Sequence, residues 1–155
     1  MTFRATGLDP SQFETLFALD DAALAARGIA RVRADEKPGY PCRVTLEDAE
    51  PGETLLLLPF EHQPAASPYR ASGPIFVREA AGAAFDRAGV VPPVLRGRLL
   101  SLRAYDGRDL IVDADVVPGD DVEAAIARFF ARDDVAYIHV HNAKRGCFAC
   151  RIDRV

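Results

Sequence analysis

No hydrophobic run in this chain is long. The longest aliphatic stretch, residues 55–58, is Leu-Leu-Leu-Leu, whereas a bilayer-spanning helix needs about 20 apolar residues. The opening segment, MTFRATGLDP, lacks the apolar centre of a secretory leader. A membrane partner is therefore not expected. Cysteine is scarce: 3 residues cannot all pair within one chain and are too few for a disulfide scaffold. A reducing cytoplasm is the compartment this predicts. Lysine is scarcer still, with Lys37 and Lys144 alone. There is no excess of positive charge either. The net charge is -4, with a pI of about 5.4, so no broad surface matches a phosphate backbone and nucleic acid is not expected as a partner. G-x-S-x-G, a phosphate loop and a Rossmann glycine fingerprint are all missing, so none of those reaction classes is indicated.

What is present is an ordinary globular composition, 49% hydrophobic and 27% charged. A chain of 155 residues fits one domain, taken as 1–155, with a core of useful size. Asp9-Pro10 reads as a helix start, with Asp9 as N-cap, Gln12 as capping-box partner and Phe13, Leu16 and Phe17 as the inward stripe. A second helix starts at Asp20 or Asp21 and stops at Gly28. Residues 29–34 alternate as a half-exposed strand, 42–46 form a short one, and 55–60 a buried one. Residues 61–74, EHQPAASPYRASGP, are expected to be irregular because their prolines and glycine break both periodicities. A strand over 75–78 and a weak helix over 79–88 follow. Residues 99–105 and 108–117 read as a hairpin turning at Asp106-Gly107. The last helix is expected to be capped by Asp120 with Glu123 as its box partner, burying Val122, Ile126, Phe129 and Phe130. Residues 135–141 and 147–152 close the chain as a hairpin. The total is about three helices and about seven or eight largely antiparallel strands, an α+β class.

Chemistry concentrates at the C-terminus, VAYIHVHNAKRGCFACRIDRV. His139 and His141 share one strand face. With a loop over 143–146, Asn142 pairs with Cys147, His141 lies opposite Phe148 and His139 opposite Cys150. A slip of one residue would instead put Cys147 with the histidines. Three uses compete. Imidazole and thiolate could hold a metal, although no complete ligand spacing is present and no metal site is assigned. Cys147 could act as a nucleophile with His141 or His139 as base, predicting faster alkylation of Cys147 than of Cys42. Histidine and Asn142 could bind a small polar ligand. The bland alternative is a hairpin with two apolar cysteines. Cys147 and Cys150, on opposite strand faces, do not suit a dithiol redox pair. A second constellation is Tyr69, Arg70, Ser72 and Gly73, whose guanidinium, phenol and hydroxyl suit a carboxylate or phosphate. Arg43 would add a second positive charge. His62 reads as a loop anchor.

The blocks PGYPCRVTLEDAEPGETLLLLPFEH, SPYRASGPIFVRE and YIHVHNAKRGCFACRIDR resemble, in this order, a bacterial family catalogued as domain of unknown function 1203. The resemblance implies a small bacterial cytoplasmic protein and no particular activity. Its blocks contain Cys42, Arg43, Tyr69, Arg70, Ser72, Gly73, His141, Asn142, Gly146 and Cys147. It also implies a small residue at the position of Cys150, which weighs against a metal site built on that thiol.

The reading that unites these residues is a protein binding a small anionic or polar ligand between the 61–74 segment and the C-terminal hairpin. Arg70 and Arg43 would hold the anion, Tyr69 and Ser72 would orient it with Gly73 as the flexible point of the loop, and Asn142, His141 and Cys147 would stand nearest any reaction. The alternatives are an enzyme with Cys147 as nucleophile, and an interaction module, including a homodimer through a sheet edge. No cofactor is assigned.

Overall fold

The computed structural model describes residues 2–155. In chain order its strands are β1 (Phe3–Thr6), β2 (Ala30–Arg33), β3 (Thr54–Gln63), β4 (Ala71–Arg78), β5 (Asp86–Ala88), β6 (Leu99–Tyr105), β7 (Ile111–Pro118), β8 (Tyr137–Asn142) and β9 (Phe148–Arg154). They form a six-stranded sheet, ordered β5-β1-β9-β8-β6-β7, and a three-stranded sheet, β2-β3-β4. Every pairing between these strands is antiparallel. The α+β class stands, with two sheets in place of the one expected. The helices are fewer and shorter than expected: α1 (Asp21–Ala26) and α2 (Val122–Phe130).

Helix α2 behaves as its spacing predicts. Val122, Ile126, Phe129 and Phe130 are all buried and join Leu100, Leu102, Ile138, Val140, Cys150 and Ile152 in one core on a face of the six-stranded sheet. The expected cap is not formed. A 3-10 turn, Gly119–Asp121, leads into the helix, and the N-cap Asp121 makes no side-chain bond. Gly119 sits so close to Leu95 that an added Cβ would lie 1.8 Å from its carbonyl oxygen, so tight packing governs this entry rather than a capping box.

A second core surrounds the small sheet, combining Phe13, Leu24, Val44, Leu56, Leu58, Ile75 and Val77. Asp9 does cap the first turn, its carboxylate accepting from the Ser11 N–H at 2.9 Å. That segment nevertheless makes two 3-10 turns, Pro10–Gln12 and Glu14–Ala18, not a helix. Phe13 at φ -117° separates them and buries its ring against Phe60, at 6.1 Å between centroids. Tertiary packing outweighs local propensity here.

Three further expectations are corrected. Residues 42–46 are a buried turn, not a strand. Leu46 has φ 52° and donates its N–H to the Cys42 carbonyl. Gly7 is needed beside this turn, since a Cβ there would lie 2.0 Å from the Val44 oxygen. Residues 79–88 form no helix, because their alanines supply no apolar stripe; the segment turns and then adds β5 to the edge of β1. The loop joining β6 to β7 is longer than an Asp-Gly turn. The Asp106 carboxylate accepts from the N–H groups of Arg108 and Leu110, at 2.8 and 3.0 Å, and organises it.

The correction that matters most for function concerns 61–74. Strand β3 continues through Gln63 and β4 starts at Ala71, so only 64–70 is irregular. Prolines do not stop this ladder because Pro59 and Pro74 face each other. Such a pair can occupy a non-hydrogen-bonded position, where both missing N–H groups point away from the partner strand. Strand β2 covers β3 only from Thr54 to Leu57, and β4 is an edge, so neither outward side needs a donor there. The extension carries His62 and Gln63 onto the six-stranded sheet.

Candidate functional site

The C-terminal hairpin has the expected turn, and its register settles which face each side chain takes. The Asn142 N–H donates to the Cys147 carbonyl at 2.9 Å, and His141 pairs with Phe148. An irregularity between Val140 and His141 then shifts the ladder, so that Val140 faces Cys150 and His139 faces Arg151. Cys150 therefore turns into the helix-side core and does not join the histidines. Burial pushes its thiol up to about 12, leaving it protonated and inert.

On one side of the hairpin, Cys147 meets Arg43 and Asn142. Arg43 Nη2 donates to Cys147 Sγ at 3.2 Å and Asn142 Nδ2 donates at 3.4 Å. The same guanidinium donates through Nε to the Phe148 carbonyl at 2.7 Å and through Nη1 to the Pro41 carbonyl at 2.5 Å. These bonds explain how an arginine only 2% exposed is tolerated. Burial lowers its pKa, and the adjoining Cys147 sulfur opposes that effect. The buried turn at 42–46 aims Arg43 this way, because the Leu8 N–H binds the Arg43 carbonyl and the Arg43 N–H binds the Phe76 carbonyl.

A cleft of about 450 Å³ opens beside this group. Its wall includes Arg43, Arg98, Asn142, Lys144, Arg145 and Cys147, and among the described residues Glu36 is the sole acidic one in it. Arg98 is committed to Asp48 through bonds of 2.7 and 2.9 Å. Lys144 and Arg145 lie at the exposed hairpin tip. Cys147 is partly accessible, whereas Cys42 and Cys150 are buried.

On the other side lie His139 and His141, 3% and 0% exposed, with His62 brought against them by the end of β3. The His62 ring is 5.0 Å from that of His141 and stacks on Phe148 at 5.5 Å. Next to it, Gln63 Nε2 donates to the Tyr137 hydroxyl at 3.0 Å, and that hydroxyl donates to Asp109 at 2.6 Å. This chain pins the end of β3 to β8. Burial lowers His139 to about 3 and His141 to about 4, so both are neutral at ordinary pH. Burial also lowers His62.

The residues of the 61–74 segment are dispersed. Arg70 pairs with Glu61 at 3.1 and 3.2 Å in an exposed bridge. Tyr69 rests edge-on against Tyr105 at 6.1 Å. Ser72 and Gly73 lie on β4. None of these four lines the cleft beside Cys147. The structure thus brings Arg43, Asn142 and Cys147 together, and separately His139 and His141 with His62. No hydrogen bond joins Cys147 to a histidine among the described residues. His62 is the residue that sequence reasoning undervalued. The signal was the continuing alternation Phe60, His62 along a strand whose prolines suggested it had ended.

Fold and site together define an α+β protein of two antiparallel sheets, with polar groups gathered on both sides of its C-terminal hairpin. The chain belongs to the family described as Protein of unknown function (DUF1203), which matches residues 39–154. The match spans the buried turn at 42–46, His62 and the whole hairpin. No curated protein and no solved structure matches the chain. Among the described residues, no helix is long and apolar enough to cross a membrane.

Proposed function

We propose that the protein binds a small anionic ligand in the cleft beside Cys147. The observation that carries this reading is the wall of that cleft, where Arg43, Arg98, Lys144 and Arg145 face a single acidic residue, Glu36. Two of these cations are already engaged. Arg43 holds carbonyls and the Cys147 sulfur, and Arg98 holds Asp48. Lys144 and Arg145 are therefore the groups that would meet an incoming carboxylate or phosphate, with Arg43 supplying a fixed positive field behind them. Asn142 Oδ1, buried and without a partner, offers an acceptor for a ligand hydroxyl or amide. A cysteine nucleophile activated by histidine has less support, because His139 and His141 point to the opposite strand face. If Cys147 reacts, the positive group beside its sulfur is Arg43, whose Nη2 lies 3.2 Å away.

The thiol itself supplies the test. Iodoacetate is an anion and iodoacetamide is neutral, yet both alkylate the same sulfur. An anion-binding cleft should raise the iodoacetate-to-iodoacetamide rate ratio at Cys147 at least about 5-fold over that of free glutathione, since each factor of ten needs only about 1.4 kcal/mol of recruitment. Inorganic phosphate should suppress the excess, and the double variant Lys144→Ala, Arg145→Ala should remove it. A ratio equal to that of glutathione, indifferent to phosphate, would dispose of the reading.

A further inference from the structure

The chain has 3 histidines, and all of them meet at one place. One ring nitrogen from each of His62, His139 and His141 lies within 4.8 Å of the other two. Two strands from different sheets build the cluster. Strand β8 presents His139 and His141 at alternate positions, and the end of β3 lays His62 across them. Phe148 and Tyr105 wall it, each with its ring centroid 5.1 Å from that of His139.

Hydrogen bonding is conspicuously incomplete here. His62 Nδ1, His139 Nδ1 and His141 Nε2 are shielded from solvent and have no partner. Buried polar atoms are normally satisfied, and three orphans in one cluster need an explanation. The His141 tautomer supplies one. Its Nδ1 lies 2.9 Å from the Gly146 carbonyl oxygen, which can only accept. Nδ1 therefore carries the proton and Nε2 carries a lone pair. A backbone carbonyl that fixes the remote nitrogen in this way is the usual support of a metal-bound imidazole. Gly146 at φ 77° shapes the turn that delivers that carbonyl.

We infer that His62, His139 and His141 form a binding site for one divalent transition-metal ion, of which zinc is the reference case. Neutral imidazole is the form that ligates such ions. Around a tetrahedral zinc with bonds of ~2.0–2.1 Å, nitrogens stand ~3.3–3.4 Å apart, so modest ring rotations close the present spacing. Three protein ligands leave a fourth position open, the arrangement of reactive rather than purely structural zinc. His62, half-buried, marks the side from which a water or ligand reaches it. Arg103, paired across the ladder with His139, puts a positive charge near the cluster. That charge disfavours a bare cation and favours an ion whose open position holds an anion, such as hydroxide or a carboxylate. None of the three histidines lines the Cys147 cleft, and Arg43 at the back of that cleft adds to the positive charge that His141 feels.

The experiment starts from chelator-stripped full-length protein titrated with Zn²⁺, with Co²⁺ as a spectroscopic probe. One equivalent should bind, the melting temperature should rise, and cobalt should show the intense visible bands of a four- or five-coordinate site. His62→Gln, at the partly exposed end of β3, should weaken binding at least about 100-fold with an unchanged circular dichroism spectrum, whereas Cys147→Ser should bind like the wild type. X-ray absorption of the zinc-loaded wild type needs no variant, and should show imidazole nitrogens at ~2.0 Å with no sulfur. Sulfur in that shell, full binding by His62→Gln, or no saturable binding by the wild type would each overturn the assignment.

Discussion

Arg43 and His139 lie on the two sides of the same hairpin and are almost equally buried, at 2% and 3% exposure. Their surroundings are opposite. Arg43 spends its donors on two backbone carbonyls and a sulfur. His139 has a buried nitrogen with no partner, as do both of its histidine neighbours. Burial alone therefore does not distinguish a structural polar residue from a functional one; satisfaction does. A paired buried cation ties segments together, here the 42–46 turn to the start of β9. An unpaired buried acceptor costs about 1–3 kcal/mol, and such a cost persists most readily where a ligand can later remove it.

The sharpest way to break this comparison is to delete the satisfied group. Arg43→Leu leaves the Phe148 and Pro41 carbonyls without a donor and frees the turn from the hairpin. Two orphaned acceptors at about 1–3 kcal/mol each imply a loss of about 4 kcal/mol. Urea unfolding followed by circular dichroism measures it. A midpoint unchanged from wild type would mean that Arg43 serves the cleft and not the fold.

Acid should expose the other side. His139 at about 3 and His141 at about 4 stand below the ordinary 6.5 because they are buried. Below pH 6.5 the unfolded chain binds protons at these positions that the folded chain refuses. The contribution of these two histidines to the stability of the metal-free protein is therefore flat above about pH 7 and falls as pH drops. Two such groups remove about 2.5 kcal/mol between pH 7 and 5.5, at 1.36 kcal/mol per unit for each. Urea midpoints across that range check the sign. A midpoint that rises on acidification would show that the histidines are charged in the folded state.

Much of this contrast was legible before any coordinates. The stripe of α2 depends only on helical spacing, and the hairpin turn depends on its polar loop residues, so both read correctly. The bulge that removes Cys150 from the histidine face has no sequence signature, because it reflects how β9 must bend to pair with β1 and β8 together. His62 was hidden by proline. A lone proline ends a strand, but Pro59 facing Pro74 does not, and that pairing is a fact about two strands rather than one. Arg70 was misleading for the opposite reason. Its chemistry suits an anion, yet Glu61, nine positions away across the β3–β4 turn, satisfies it internally. Strand β1 escaped notice because four residues with two polar side chains carry too little periodicity.

The smallest expected effect is the most discriminating. His139→Phe replaces an unpartnered imidazole by an apolar ring of similar shape among Tyr105, Tyr137 and Phe148. It removes no hydrogen bond that the protein makes through the buried Nδ1, and it removes the desolvation of that atom. At pH 7.5 the metal-free variant should match the wild type within about 1 kcal/mol, or exceed it. Its acid slope should be shallower than that of the wild type, because one of the refused protons is gone. Addition of zinc should then separate the proteins, raising the melting temperature of the wild type and leaving the variant unmoved. A variant that unfolds at pH 7.5 would place His139 with Arg43 among the groups the fold requires, and the two sides of the hairpin would no longer differ in kind.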